Sequence, residues 1–278
     1  MARARQADSH GLPDEVEEHR DRMWRRQPED AVSTAEAAER FVNDVGFSWA
    51  LTDIRTPGPS LYIAVCGRRE ASMPGNVQKD PEASLAWVLK DEVMRRGRVF
   101  YAKLLRKRST FVRTGLVPAF HAIAGIARKH EAARLSADAR AVLKVLRKEW
   151  EMGTADLKVE SGVRDRAKFT KALDELQACM KVVPGEVLYV PKFTYIWYLA
   201  EGRFAGELKI KVARDRAVTD IARAYLNAAG QTRRGELSSV TGLGRAEAGR
   251  ANQRLVDEGF AVRLDTGVYR IASLRPGE

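Results

Sequence analysis

A carboxylate and an amide stand side by side near the end of the first helical pattern. Asn43 and Asp44 lie between Val42 and Val45, just before Gly46, in an otherwise apolar stretch. Apolar surroundings raise the pKa of a carboxyl group, and such a group can take a proton from water that a neighbouring amide orients. Asn and Asp also close helices by bonding to local backbone, which is the structural alternative. The pair is therefore the candidate for hydrolytic chemistry, with that alternative open.

The densest run of positive charge lies further along the chain and encloses Phe100 and Tyr101. Its members are Arg95, Arg96, Arg98, Lys103, Arg106, Lys107 and Arg108. Positive side chains beside stackable rings suit a nucleic-acid backbone with a base nearby. Alternatively, the rings belong to the core and the charges are only hydrated. We expect the rings to be core and the charges to meet phosphate.

The chain as a whole is basic. Its 278 residues include 48 Lys and Arg against 37 Asp and Glu, a formal net charge of +11 at pH 7. That balance favours a polyanionic partner. Because no segment combines a strongly apolar face with a lysine-rich one, double-stranded DNA is expected rather than a membrane. The four histidines and two cysteines show no metal-ligand spacing, so no metal and no cofactor are expected. Reduced thiols suggest a cytoplasmic, nucleoid-associated protein.

The same order of elements occurs twice in the C-terminal half. The first pass predicts helices at 136–150, 154–160 and 165–180, then a hairpin with Pro184-Gly185 at its turn. The second predicts helices at 217–229, 234–240 and 245–259, then a hairpin around Asp265-Thr266-Gly267. Three helices followed by a hairpin form the plan of a winged helix. The sequence therefore predicts two tandem winged helices.

In a winged helix the third helix enters the major groove, so its outward face should be basic or polar. The outward residues are Arg164, Lys168 and Lys171 in the first copy, and Arg245, Arg250 and Arg254 in the second. Such side chains can bind phosphate, and arginine can also fork onto guanine. Winged helices also bind proteins, so a hydrated basic face on a protein-docking domain is the alternative. The protein-docking alternative is stronger for the first copy, where Asp174 and Glu175 interrupt the positive charge.

These elements predict a mainly α fold with small β wings (α+β), in which tandem winged helices follow a mixed N-terminal domain. We expect a mobile charged arm over 1–32, a mixed helical domain over 33–134, winged helices over 135–200 and 216–273, and a linker over 201–215. Within the N-terminal domain, segment 60–66 is a strand or a buried helical turn, which periodicity does not decide. A monomer is expected.

Several stretches resemble the bacterial proteins related to the AlkZ/YcaQ winged-helix DNA glycosylases. They are Phe41-Val42-Asn43-Asp44-Val45-Gly46-Phe47, Ser60-Leu61-Tyr62-x-Ala64-Val65-Cys66-Gly67-Arg68, Trp87-x-x-Lys90-Asp91, Tyr101-Ala102-Lys103-Leu104-Leu105, Thr110-Phe111-Val112 and Leu176-Gln177-x-x-x-Met180-Lys181-Val182-Val183-Pro184. The likeness spans residues 35–270. It implies tandem winged helices, DNA as the ligand, and excision of a damaged or modified base without metal or cofactor.

The characterised glycosylases position the attacking water with a Gln-x-Gln or Gln-x-Asp motif. Asn43-Asp44 lies in about the corresponding region, and that region of this sequence contains no glutamine. The implied chemistry is base extrusion and hydrolysis of the N-glycosidic bond, with Asp44 stabilising an oxocarbenium-like sugar. The absence of these glutamines favours two other classes of protein: a DNA-binding regulator without chemistry, or an architectural or protein-docking protein. The likeness across the N-terminal region favours the enzyme.

Overall fold

The computed structural model describes residues 11–274. Helices dominate these residues, and three antiparallel sheets of three strands each accompany them. The predicted mainly α fold with small β wings is thereby confirmed. Each sheet belongs to one consecutive group of elements, and we call these groups unit 1, unit 2 and unit 3 in chain order.

An N-terminal helix, α1 (Asp14–Met23), precedes the units. The prediction of a mobile arm is therefore wrong for residues 11–32, and residues 1–10 lie outside the described residues. The Arg20 guanidinium is buried, donates to the carbonyl oxygens of Ala229 and Gln231, and pairs with the Glu236 carboxylate at 3.0 Å. A polar composition predicts mobility only where the charges remain hydrated. These partners lie at the other end of the chain, so local composition could not reveal them.

Unit 1 has the order helix, strand, two helices and two strands. Its elements are α2 (Ala35–Val45), β1 (Phe47–Trp49), α3 (Leu61–Cys66), α4 (Pro81–Arg96), β2 (Val99–Lys103) and β3 (Ser109–Arg113), after which α5 (Val117–Ala124) and α6 (Glu131–Arg134) lead to unit 2. β3 lies between β1 and β2 and is antiparallel to both. All six residues of α3 are buried. A helix that is apolar all round has no amphipathic period, which explains the ambiguity of segment 60–66.

Unit 2 repeats that order, and its third strand is again central. Its elements are α7 (Ala137–Glu149), β4 (Glu151–Gly153), α8 (Thr154–Glu160), α9 (Arg166–Ala178), β5 (Val182–Leu188) and β6 (Thr194–Leu199), followed by α10 (Ala200–Arg203) and α11 (Ala205–Lys209). Much of the expected linker over 201–215 is therefore helical. Three helices followed by a hairpin occur in the order that the sequence predicted, and β4 is a short strand that the sequence did not predict.

The hairpin of unit 2 differs from the prediction. Pro184-Gly185 is not its turn but a bulge inside β5, and the turn lies at 189–193. Proline cannot donate a ladder hydrogen bond, so within a sheet it is tolerated at bulges and edges. A Cβ on Gly185 would come within 2.3 Å of the Tyr198 ring and the Arg203 guanidinium. Glycine is thus required here by close packing rather than by a turn.

Unit 3 has the same order and the same strand arrangement. Its elements are α12 (Arg214–Ala229), β7 (Gln231–Thr232), α13 (Glu236–Thr241), α14 (Arg245–Asp257), β8 (Ala261–Asp265) and β9 (Val268–Ile271). Four helices of units 1 and 2 begin at a side chain that accepts a free backbone N–H, and these capping residues are Thr34, Asp80, Ser136 and Asp165. Local sequence therefore determines where those helices start.

Units 1 and 3 share one hydrophobic core, whereas most of unit 2 packs around a second one. Phe47 of β1 meets the edge of Phe120 of α5 at a centroid distance of 5.5 Å and stacks on Tyr225 of α12 at 6.1 Å. Unit 2 contacts unit 1 where α9 meets β2 and where β5 meets α4. The junction between units 1 and 2 is therefore the place where the two cores adjoin.

Candidate nucleic-acid interface

A cavity of about 870 Å³ lies at the junction of units 1 and 2. β2 contributes one wall, and α8, α9 and the β5–β6 hairpin contribute the others. Five aromatic residues line it: Tyr101, Phe169, Phe193, Tyr195 and Trp197. Four cationic residues line it as well: Lys103, Lys158, Arg166 and Lys192. We call this the aromatic cavity, and it combines flat rings with positive charge.

The rings form a row along β6 and the turn before it. Ring centroids are 5.7 Å apart for Tyr189 and Phe193, 5.3 Å for Phe193 and Tyr195, and 5.6 Å for Tyr195 and Trp197. Alternate residues of a strand share one face, which aligns them. The Trp197 indole N–H donates to the Thr154 hydroxyl at 3.0 Å, and that hydroxyl donates to the carbonyl oxygen of Tyr195 at 2.9 Å. The cavity end of the row is thereby fixed within the protein.

Two carboxylates line the aromatic cavity, Asp156 of α8 and Asp174 of α9. Asp174 of α9 accepts a hydrogen bond from Lys103 Nζ through Oδ1 at 2.8 Å, and its Oδ2 has no hydrogen-bond donor among residues 11–274. Gln177, on the same face of α9, lines the cavity and accepts the Lys103 backbone N–H at 3.1 Å. Lys103, predicted as a DNA contact, is therefore a cavity residue. From the sequence, Asp174 was interpreted only as an acidic residue that interrupts the positive charge of this helix.

A buried lysine anchors the turn of the unit 2 hairpin to unit 1. Lys90 Nζ lies 2.6 Å from Asp91 Oδ1 and donates to the Tyr195 hydroxyl at 3.2 Å, while the Tyr189 hydroxyl donates to Asp91 Oδ2 at 2.5 Å. Burial opposes the positive charge of Lys90, but the surrounding Tyr101, Tyr195 and Asp91 outweigh it and hold its pKa above the usual range. Lys90 is therefore a charged anchor rather than an amine nucleophile.

The run from Arg95 to Arg108 does not form one continuous basic strip. Arg96 pairs with Glu36, Glu39 and Glu92, and Arg98 with Glu39 at 3.4 Å. Arg106 donates to the carbonyl oxygens of Ser238 and Ser239 in unit 3, at 2.8 and 3.0 Å. Phe100 and Tyr101 are buried in the core, as expected. The side chains that remain exposed without a partner among the described residues are Arg95, Lys107 and Arg108, so these are the better placed to meet phosphate.

The third helix of unit 2, α9, has the predicted inward stripe of Phe169, Leu173 and Leu176. The predicted outward residues Arg164, Lys168 and Lys171 are all exposed. Arg166, at the first position of α9, lines the aromatic cavity and was missed by the sequence analysis. The signal for Arg166 in the sequence was its position directly after Asp165, the residue that caps α9.

The third helix of unit 3, α14, exposes Arg245 and Arg250. The prediction that Arg254 projects outward with them is wrong. Arg254 pairs with Asp215 of α12 at 3.1 Å and donates to the Thr219 hydroxyl at 3.2 Å. At 3.6 residues per turn, Arg254 lies roughly 180° around the helix from Arg245, so one face cannot hold both. Arg254 therefore joins two helices of unit 3.

This division of the three arginines predicts two different mutant phenotypes. Replacing Arg245 and Arg250 with alanine should reduce the slope of log affinity against log salt by about 0.9 for each lost phosphate contact. The thermal midpoint should stay nearly constant because exposed charges add little stability. Arg254→Ala should instead cost about 1 kcal/mol of unfolding free energy, because it removes hydrogen bonds to α12. Salt titrations by fluorescence anisotropy and thermal melts measure both. Equal melting losses in the two variants would contradict this division.

The pair Asn43-Asp44 lies at the exposed end of α2. The Asn43 side-chain amide donates to the carbonyl oxygen of Glu39 at 2.9 Å, which is the local backbone bond of the structural alternative. The Asp44 carboxylate is 45% exposed and pairs with Arg25 at 2.8 Å. The expectation of apolar surroundings for Asp44 is therefore wrong, and neither residue lines the aromatic cavity. A catalytic role for Asp44 stays a prediction from sequence.

Three further features of residues 11–274 concern metal ligation, thiol chemistry and membrane spanning. Their His, Cys, Asp and Glu side chains do not gather in a group of three or more that could hold a metal ion. Burial raises the pKa of the Cys66 thiol to about 12 and that of Cys179 to about 11, so neither is a thiolate near pH 7. None of the helices in this part of the chain combines the length and apolar character of a membrane span.

The described residues thus form three mostly helical units with small β sheets, and the cavity between the first two units combines aromatic rings with positive charge. The family model described as AlkZ related matches residues 32–192, more than half of the chain, and the chain belongs to this family. Its fold is similar to that of the Streptomyces sahachiroi DNA glycosylase AlkZ, with a TM-score of 0.53 and 15% sequence identity. That similarity covers 92% of this chain and 70% of the Streptomyces protein. A search among curated proteins gives no match.

Proposed function

We propose that this protein binds duplex DNA and receives an extruded base in the aromatic cavity, in a role like that of a DNA glycosylase. The observation that carries the proposal is the row of rings at Phe193, Tyr195 and Trp197, which shares one cavity with four cationic side chains. Enzymes that act on a base in a duplex must first take it out of the stack. The extruded base stacks on the aromatic rings, and the cationic side chains bind the phosphates beside it.

The free energy needed to extrude a base and the free energy gained by stacking it on a ring are similar in size. Extruding a base costs a few kcal/mol, and less when the base is damaged or mispaired. Stacking on an aromatic side chain returns roughly 1–3 kcal/mol per base. A damaged base therefore enters the aromatic cavity more readily than an intact one, because its pairing is weaker at the start. The same rings can select for damage without reading a sequence.

The turn of the unit 2 hairpin supplies a wedge next to the cavity. Leu188 at the end of β5 and Tyr189 and Val190 in the turn are exposed, with Val190 84% exposed. Apolar side chains of this kind, inserted between base pairs, unstack them and kink the duplex. The hydrogen bond of Tyr189 to Asp91 ties the turn to unit 1. We infer that the turn fills the gap that an extruded base leaves.

Three carboxylates are available for hydrolysis of the N-glycosidic bond: Asp156 and Asp174 in the lining of the aromatic cavity, and Asp44 at the end of α2. Asp174 lies in the cavity wall with Oδ2 open, whereas Asp44 is paired with Arg25 outside the cavity. A carboxylate beside the sugar stabilises the oxocarbenium-like state and accepts a proton from the attacking water. The geometry favours Asp174, with Lys103 holding its other oxygen.

Binding without chemistry is the second candidate function. Its specific support is that Asp44 and Asp174 each form an ion pair within the protein, so one oxygen of each carboxylate is already occupied. Duplexes carrying alkylated or hypermodified bases, treated with alkali after incubation, distinguish the two functions. Strand cleavage at the modified site indicates base release, and binding without cleavage indicates a regulator or architectural protein.

Duplex affinity should fall steeply with salt. The net charge of +11 and the exposed cations of the aromatic cavity and α14 imply several phosphate contacts. Each contact lowers log affinity by about 0.9 per unit of log salt concentration. Anisotropy titrations from about 50 to about 200 mM salt cover the range in which such contacts are resolved. A flat titration, or no binding at the lowest salt, would remove the basis for a DNA partner.

A further inference from the structure

We propose that a second cavity, in unit 3, is a phosphate-binding site that holds the DNA backbone at a distance from the aromatic cavity. The proposal rests on duplex DNA being the ligand, and the site itself is defined by phosphate chemistry. The cavity measures about 390 Å³ and lies where α13, α14 and the turn between β8 and β9 meet. We call it the arginine cavity. Its cationic lining residues are Arg233, Arg234 and Arg245.

The three guanidinium groups of the arginine cavity are exposed, and none has a hydrogen-bond or ion-pair partner among residues 11–274. Many other arginines of this chain are paired. Arg254, for example, lies on α14 like Arg245 and pairs with Asp215 of α12. The turn of the hairpin packs on the stem of Arg234: a Cβ on Gly267 would lie 3.1 Å from Arg234 Cγ. The stem is thus held while the charged end remains available.

The one carboxylate in the described lining does not neutralise these arginines. Glu236 Oε1 accepts from the Tyr225 hydroxyl at 2.8 Å and from Arg20 at 3.0 Å, and Oε2 accepts the Arg233 backbone N–H at 2.6 Å. Both carboxylate oxygens are therefore occupied by partners within the protein. Three positive charges around one small cavity repel each other, and a bound anion removes that repulsion. Phosphate suits guanidinium groups because its oxygens accept paired N–H bonds.

A buried amide completes the site. Asn252 of α14 lines the arginine cavity and is 5% exposed, yet its Oδ1 has no hydrogen-bond partner. A buried amide oxygen without a partner costs free energy, so such groups call for an explanation. The side-chain amide both donates and accepts, and half a turn about its last bond exchanges the two atoms. It can therefore donate to a phosphate oxygen or accept from a hydroxyl or ordered water beside it.

The arginine cavity has a defined position relative to the first site. Ser238 of α13 lines it, and the carbonyl oxygens of Ser238 and Ser239 accept hydrogen bonds from Arg106 of unit 1. Arg106 follows β2, and β2 forms a wall of the aromatic cavity. A duplex held at both places would be fixed in register while a base enters the aromatic cavity. Arg245, predicted from sequence as a DNA contact, thus acquires two arginine neighbours that the sequence analysis did not single out.

The test uses the full chain with Arg234→Gln, and Arg263→Gln as the matched control. Arg263 is an exposed arginine on β8 of the same unit, outside the arginine cavity, so both variants lose one positive charge. Binding to an unmodified duplex is measured by anisotropy against salt. Arg234→Gln should reduce the slope of log affinity against log salt by about 0.9, and Arg263→Gln should leave it unchanged.

Inorganic phosphate is the second probe and distinguishes the backbone from free phosphate. A rise in the thermal midpoint with millimolar phosphate, seen in the wild type and in Arg263→Gln but not in Arg234→Gln, means that the site also holds a free phosphate. A change of slope alone means that it requires the DNA backbone. Equal slopes in both variants, together with no phosphate effect, would overturn the site. If the wild type binds no duplex at low salt, the DNA proposal fails, and the phosphate arm alone decides the site.

Discussion

Replacing Asp174 with asparagine is expected to lower the rate of base release by on the order of a hundredfold, as for a lost general base. Asp174 stands in the wall of the aromatic cavity with Oδ2 open, while Lys103 holds Oδ1 at 2.8 Å. Asparagine keeps the size and can keep a contact with Lys103, so folding should not change. Duplex affinity should stay the same or rise, because a negative charge near the DNA is removed. Single-turnover base release from a duplex with an alkylated purine measures the effect.

Asp44→Asn is the matched variant in the same assay, and it also tests the assignment made from sequence. Asp44 is paired with Arg25 outside the aromatic cavity. We therefore expect base release to remain near the wild-type rate. A hundredfold loss in Asp44→Asn with none in Asp174→Asn would place the chemistry at the end of α2 and reject the cavity. Loss in Asp174→Asn alone supports the cavity.

Replacing Arg20 with methionine should lower the free energy of unfolding by about 3–5 kcal/mol, because it leaves the buried Glu236 carboxylate without its ionic partner. The same change removes the donors to the carbonyl oxygens of Ala229 and Gln231. Arg22→Met is the control, since Arg22 is an exposed arginine on the same helix. Denaturant unfolding gives both values.

The double variant Arg20→Met with Glu236→Gln isolates the ion pair. Neutralising the carboxylate should recover part of the loss, because the penalty comes largely from an unpaired buried charge. If Arg20→Met and Arg22→Met unfold at the same denaturant concentration, then α1 is not held by Arg20. The N-terminal segment would in that case behave as the mobile arm that its composition predicted.

The helices of units 2 and 3 were predictable because their signals are local. Ser136 and Asp165 accept the first free N–H groups of α7 and α9, and the apolar stripe of Phe169, Leu173 and Leu176 follows the helical period. Unit 1 has the same element order but carries weaker signals. Its first strand, Phe47–Trp49, is too short to show alternation, and α3 is buried on all sides. A third copy of the order was therefore not recognised from sequence.

The errors share one physical origin, which is that contacts distant in sequence override local preference. Pro184-Gly185 has the composition of a turn, but the approach of Tyr198 and Arg203 makes it a bulge. Arg20 belongs to a polar segment, yet its partners lie in unit 3.

Only part of the candidate interface could be read from sequence. Lys103 was predicted as a DNA contact, and it does line the aromatic cavity. The ring row at Phe193, Tyr195 and Trp197 was not predicted. Alternating aromatic residues were the available signal, but the misplaced turn left this stretch outside the predicted hairpin. A cavity built from two units also depends on how the units pack, which no local pattern encodes.

Permanganate oxidation of a single thymine tests most directly whether the aromatic cavity receives an extruded base. The duplex carries one alkylated adenine paired with that thymine, which becomes reactive when its partner leaves the stack. Thr170→Trp is the companion variant, because Thr170 is an exposed residue in the cavity lining and a tryptophan there would fill the space. We expect the bound wild type to raise thymine oxidation, and Thr170→Trp to bind the duplex with oxidation at background. Full binding by the wild type with the thymine still protected, or equal oxidation with Thr170→Trp, would contradict base capture in this cavity.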